Sequence, residues 1–232
     1  MTAVLEARQL DAGYRRDLTI VRGLDLVVQP GEVVALLGAN GAGKTTTLST
    51  LAGELPALGG TVLWEGEPLT TPLFRRARKG LAFVTDERAV LMKLTAAENL
   101  RVGRCDTDHA LRLFPELEPH LRRRVGLLSG GQQQMLALAI ALARKPRVLL
   151  ADELSLGLAP MIVDRLLQAV RTAADEGLGV LLVEQHVHKA MAVADRAYVM
   201  QRGEVRLSGT AAELRGRVDE IQQSYLSLAA AT

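Results

Sequence analysis

With 232 residues, 48% of them hydrophobic and only 3% aromatic, the chain can bury a core built mostly of Leu, Val and Ala. Such an interior suits parallel strands under helices better than a β-sandwich. A formal charge of +2 is too small a footprint for nucleic acid, and the run Arg122-Arg123-Arg124 reads as a solvated face. The single cysteine, Cys105, excludes an intramolecular disulfide and fits a reducing compartment. No secretory leader is expected, because Glu6, Arg8 and Asp11 interrupt the first apolar residues. The longest apolar run, residues 135–143, is about half a membrane span. Any membrane role is therefore expected to come through a partner.

Short apolar runs over residues 3–28, broken by Gly13, Gly23 and Pro30-Gly31, predict antiparallel strands. Val33-Val34-Ala35-Leu36-Leu37 then predicts a buried strand, and residues 46–52 a helix. Between them stands Gly-Ala-Asn-Gly-Ala-Gly-Lys-Thr, residues 38–45, with the G-x-x-x-x-G-K-T spacing of a P-loop. Gly38, Gly41 and Gly43 let the backbone curl around phosphates at a helix N-terminus. Lys44 is placed to reach the β- and γ-phosphates, and the Thr45 hydroxyl to sit on Mg²⁺.

Thr61-Val62-Leu63-Trp64 and Leu81-Ala82-Phe83-Val84 predict two further strands. From residue 86 to 145 the character becomes helical. Thr95-x-x-Glu98 is a capping-box pattern, and residues 108–114 predict a helix ended by Pro115, with Pro119 interrupting again. Strands return at 148–151 and 180–183, with a helix over 160–175 between them. A hairpin is expected around Gln201-Arg202-Gly203-Glu204. A last helix is capped by Thr210-x-x-Glu213, with Val218, Ile221, Tyr225 and Leu228 as its core stripe. The expected fold is α/β: a mostly parallel P-loop NTPase sheet with helices on both faces, an N-terminal antiparallel β part and an inserted helical subdomain. One domain would span 1–232, its core formed by about 1–85 and 146–232 and its lobe by 86–145.

Two more stretches carry chemistry. In Leu128-Ser129-Gly130-Gly131-Gln132, Ser129 reads as an N-cap, and the glycines open a helix through Arg144. As local pattern, a structural cap and a phosphate site are evenly matched. The motif's place before a strand ending in two carboxylates favours the phosphate site. That strand closes on Asp152-Glu153. Asp152 would hold Mg²⁺, through water or directly, as a Walker B aspartate does, and Glu153 is placed to polarise an attacking water as general base.

In this order, the motifs at 38–45, 128–132 and 150–153 resemble the nucleotide-binding subunit of an ATP-binding-cassette (ABC) transporter, and the likeness runs from the first strands to about Arg206. The resemblance implies a cassette that binds and hydrolyses ATP with Mg²⁺. Asn40, Gly41, Ala42, Gly43, Lys44, Thr45 and Thr46 would hold the nucleotide, and Tyr14 would stack on adenine. Ser129, Gly130, Gly131 and Gln132 would close over ATP on a second, identical or paralogous cassette in a head-to-tail dimer. The loop around Ser155-Leu156-Gly157-Leu158 would touch that partner.

Some positions depart from the family pattern. Asp86 takes the place of the coupling-loop glutamine and is assigned to the metal. Gln185 takes the place of the switch histidine, with His186 one residue later, and Leu154 replaces a proline. The acidic residue at 86, Val-Glu-Gln after the late strand and Ser-Leu-Gly-Leu-Ala-Pro at 155–160 together resemble the shorter of the paired ATPases of branched-chain amino acid importers, with Leu154 as a departure from that pattern. Transmembrane permease subunits would dock in a groove near residues 86–100, serving a solute-binding protein indirectly, and the chain would lie peripherally on the cytoplasmic face of the membrane. The alternatives are a soluble non-transport cassette or a weakly hydrolysing nucleotide-binding partner.

Overall fold

The computed structural model describes residues 2–15, 17–85, 89–218 and 221. Strands β1 (Leu5–Arg15) and β2 (Leu18–Val28) pair antiparallel, and with β4 (Gly59–Trp64) and β5 (Glu67–Pro68) they form a four-stranded sheet ordered β2-β1-β4-β5. A second sheet holds β3 (Val33–Gly38), β6 (Leu81–Val84), β7 (Val148–Asp152), β8 (Gly179–Glu184), β9 (Arg196–Gln201) and β10 (Glu204–Thr210). Its order is β10-β9-β3-β8-β7-β6, parallel throughout except for the edge strand β10.

Every residue of β3, β7 and β8 is buried, which is why these strands read as continuous apolar runs. Their side chains nonetheless alternate between two cores. Val33, Ala35 and Leu37 face a helical layer, while Val34 and Leu36 face the antiparallel sheet and helix α1 (Lys44–Ala52). The helical layer contains α5 (Gly130–Ala143), α6 (Pro160–Asp175) and α7 (Val187–Val193). Helices α3 (Ala96–Val102) and α4 (Thr107–Leu113) join it, and the short α8 (Ala211–Arg215) packs Leu214 there.

The boxes at Thr95–Glu98 and Thr210–Glu213 both form. Val218 and Ile221 are buried in the helical-side core, whereas Tyr225 and Leu228 lie outside the described residues. Helix α4 ends at Leu113, just before Pro115 as expected, and Pro115 and Pro119 then sit in a 3₁₀ turn, Pro115–His120. A short turn of this kind tolerates the missing N–H groups that would break an α-helix. Among the described residues no helix is long and apolar enough to cross a membrane.

Helix α2 (Leu73–Lys79) carries no signal in the sequence beyond a basic run, yet it stabilises the end of α1. Arg76 is buried and donates to the carbonyls of Thr50 (3.1 Å), Leu51 (2.6 Å), Leu69 (2.9 Å) and Thr71 (2.6 Å). Burial holds its guanidinium below the usual arginine range. The fork thereby takes the Leu51 carbonyl at the C-terminus of α1 and gives a second donor to that of Thr50, which also accepts from the Gly53 cap N–H. Arg76→Ala is expected to lower the unfolding free energy in urea by about 2–4 kcal/mol, with Arg76→Lys recovering less than half of the loss.

Candidate functional site

The loop leaving β3 turns sharply because its glycines allow it. Gly43 has φ 103° and caps α1 with no side chain bonded to the first-turn amides. A Cβ on Gly43 would lie 2.9 Å from Val21 Cγ2, and one on Gly38 would lie 2.6 Å from the Met200 carbonyl oxygen. Neighbouring strands therefore demand glycine as firmly as the backbone does. The helix start keeps its N–H groups and positive dipole end open towards an anion. Lys44 is buried, and its Nζ donates to the carbonyls of Gly38 (2.9 Å) and Ala39 (3.1 Å). Burial pushes its ammonium below the ordinary lysine value, against the opposing pull of Glu153, Asp152 and Glu184.

A cavity of about 460 Å³ opens over this loop. Asn40, Gly41, Gly43, Lys44, Thr45 and Thr46 form its floor, Tyr14 and Ile20 one wall, and Glu153 and Gln185 the other. Tyr14 is 60% exposed at the end of β1, which leaves its ring face available. Gly38 and Ala42 are buried beneath the loop. Asp152 is the last residue of β7 and is buried, close enough to Lys44 to influence its charge. Glu153 follows with φ 47°, its N–H bonded to the Val183 carbonyl at 2.9 Å. The Gln185 side chain donates from Nε2 to Glu153 Oε1 at 2.6 Å. His186 is exposed at the start of α7 and takes no part in the lining. Asp86 lies outside the described residues.

Ser129 and Gln132 form a reciprocal cap on α5. Gln132 N–H donates to Ser129 Oγ (3.3 Å), and Ser129 N–H donates to Gln132 Oε1 (3.0 Å). Gly130 is half-buried, Gly131 is buried with Ile162 beside it, and the preceding Leu127 is 75% exposed. Ser129, Gly130, Gly131 and Gln132 are absent from the lining of the cavity over the glycine loop.

A strand, glycine loop and helix set against two strand-end carboxylates define a nucleotide-binding P-loop ATPase. The family model described as "ABC transporter" matches residues 21–155, and the chain belongs to that family as an ATP-binding, ATP-hydrolysing subunit. It is 41% identical to the high-affinity branched-chain amino acid transport ATP-binding protein BraG of Pseudomonas aeruginosa, covering 92% of this chain and 95% of that one. It is 35% identical to the probable branched-chain amino acid transport ATP-binding protein LivF of Archaeoglobus fulgidus, covering 91% and 94%. It is also 33% identical to the lipopolysaccharide export system ATP-binding protein LptB of Escherichia coli K12, covering 97% of each. A solved ATP-binding subunit of an ABC transporter superposes with a TM-score of 0.83 at 26% identity, over 96% of this chain and 99% of that one.

Sequence reasoning did not single out Ile20 in the cavity wall or Glu184 behind Gln185. An acidic residue ending a run of buried aliphatics was the available signal for Glu184. Gly43→Ala is expected to weaken nucleotide affinity about tenfold in a fluorescent-nucleotide titration, from left-handed strain and overlap with Val21.

Proposed function

We propose that the chain is the ATPase of an ABC importer, most closely suited to branched-chain or related amino acids, and that it works by ATP-driven closure of a head-to-tail dimer. The observation that carries this reading is the division of motifs. Lys44, Thr45, Glu153 and Gln185 share one cavity, while Ser129 to Gln132 cap a helix outside it. The arrangement suits a composite site in which a second cassette, a copy or a paralogue, supplies the missing helix start.

In this reading Tyr14 stacks on adenine, and Asn40 to Thr46 hold the phosphates with Lys44. Glu153 takes a proton from the attacking water. Gln185 donates an amide hydrogen bond but carries no charge at neutral pH. Thr45 and Asp152 supply hard oxygen donors, suited to a Mg²⁺ that keeps water and phosphate ligands. Among the described residues no cluster of three or more His, Cys, Asp or Glu side chains offers an all-protein cage. When bound, the ion neutralises charge developing on the transferred phosphoryl group. The Asp86 assignment belongs to the same proposal.

Permease subunits would dock beside the edge strand β6. There a cavity of about 780 Å³ lies between α2 and α5 and reaches Thr85 and Ala89, with Arg78, Lys79 and Arg144 on its rim. Leu91 and Met92 are exposed nearby in sequence. The chain would thus lie peripherally on the cytoplasmic face of the membrane and serve a solute-binding protein through the permeases. The higher identity to BraG than to LptB favours import, and the LptB likeness keeps an export-type partner as the second reading.

Glu153→Gln is expected to lower kcat at least about 100-fold while leaving ATP binding intact, with dimers accumulating in ATP during size-exclusion chromatography. Turnover unchanged in that variant removes the general-base assignment. Coexpressed with branched-chain amino acid permeases, the chain is expected in the membrane fraction and should support ATP-dependent leucine uptake.

A further inference from the structure

We propose that Glu184 is a positioning residue for hydrolysis: through Ser155 it holds the loop after β7 so that the Glu153 carboxylate meets the Gln185 amide. The inference rests on the reading of Glu153 as general base and adds a fully buried residue outside the cavity lining.

Glu184 ends β8, a strand otherwise made of Gly, Val and Leu, and is 0% exposed. A buried carboxyl group costs several kcal/mol unless both oxygens are bonded, so mere packing would favour an aliphatic residue here. Both oxygens are bonded, and to the same residue. Ser155 N–H donates to Oε1 at 3.1 Å and the Ser155 hydroxyl to Oε2 at 2.5 Å. Ser155 is itself only 6% exposed. Burial pushes the Glu184 carboxyl above the ordinary range, against the opposing pull of the two Ser155 bonds.

The loop needs this restraint. Glu153 sits at φ 47°, a left-handed conformation that costs a non-glycine residue roughly 1–2 kcal/mol and persists only where its surroundings over-determine it. Three consecutive residues of the β8 end provide those surroundings. The Val183 carbonyl takes the Glu153 N–H, Glu184 takes both donors of Ser155, and Gln185 reaches the Glu153 carboxylate at 2.6 Å. Of these, the Gln185 contact is made by the base itself and has to adjust when the base acts. The bonds to Glu184 lie outside the reacting groups and keep the loop placed while that happens. Leu154 is buried between the two anchored residues, which adds an apolar peg to the same loop.

The test compares ATP turnover against ATP concentration, nucleotide affinity and thermal unfolding for full-length Ser155→Ala, Glu184→Gln, Glu184→Leu and Glu153→Gln. Ser155→Ala and Glu184→Leu are expected to lower kcat about tenfold with KM for ATP within about twofold, since the lost bonds align the base and not the nucleotide. Glu184→Gln should keep about half of the activity or more, because its amide oxygen accepts from the Ser155 N–H and its NH₂ donates to the hydroxyl. Ser155→Ala added to Glu184→Leu should lower kcat no further. Wild-type kcat in Ser155→Ala and Glu184→Leu overturns the proposal, as does a Glu184→Gln variant as slow as Glu184→Leu. Should Glu184→Leu fail to fold, Ser155→Ala and Glu184→Gln decide alone. Turnover retained in Glu153→Gln overturns the general-base reading instead, whereas an inactive Glu153→Gln beside a fully active Ser155→Ala overturns only the role of Glu184.

Discussion

The parallel pairing of β3, β8 and β7 is the constraint on which the rest depends. Leu37 stands opposite Glu184, and Asp152 opposite Val183, so the three strands end at one level. Parallel strands expose their carboxyl ends together, and there the chain can gather groups far apart in sequence. The glycine loop and Lys44 leave β3, Asp152 and Glu153 leave β7, and Glu184 and Gln185 leave β8. A one-residue slip in either pairing would turn alternate side chains to the opposite core and carry Gln185 away from Glu153. The alternation of Val33, Ala35 and Leu37 against Val34 and Leu36 resists that slip, since each set is buried in a different core. Hydrophobic packing of the strands thereby fixes the geometry of the polar site above them.

Charge balance at that edge follows from the same geometry. An uncapped helix start and a buried lysine bring positive potential, and three carboxyl groups oppose it. Lys44 is turned onto the carbonyls of its own loop, which limits its freedom. Glu184 is the most deeply buried of the acids and the one with both oxygens bonded within the described chain by Ser155. Its oxygens are thus committed to Ser155, and Glu153 is the acid that lines the cavity. Placement within a few residues separates a fully buried acid from one that lines the cavity.

Much of this was legible in the sequence, for identifiable reasons. Glycine spacing, capping boxes and apolar runs are local, so residues 38–45, Thr95–Glu98, Thr210–Glu213 and the helix Pro160–Asp175 could be read directly. Those that escaped depend on partners distant in the chain. Arg76 carries no local signal of burial because its four carbonyl acceptors come from other segments. Helices α2 and α7 are seven residues each, too short for a periodic stripe to stand out. The long pairing of β1 with β2 contains several register shifts, which blur the alternation that would otherwise mark an 11-residue strand. Nor could spacing reveal that Ile20, on that same hairpin, forms cavity wall beside Tyr14.

The serine before the paired glycines presented two readings of equal weight, cap or anion site, and the geometry removes the conflict between them. Capping α5 uses Ser129 Oγ as an acceptor from the Gln132 N–H. A hydroxyl also has one proton to donate, and the cap does not consume it. The glutamine that completes the cap takes the Ser129 N–H through Oε1 and meets His120 Nε2 at 2.8 Å through its other terminal atom. Gln133, next along, ties the helix to the carbonyls of Val125 and Leu128 at 3.0 and 3.1 Å. These bonds hold the helix start rigid while leaving the Ser129 proton and the N–H groups of Gly130 and Gly131 uncommitted to the cap. Side-chain capping and any anion binding would therefore draw on different atoms of the same residue, so the rigidity given by the first is what would make the second selective.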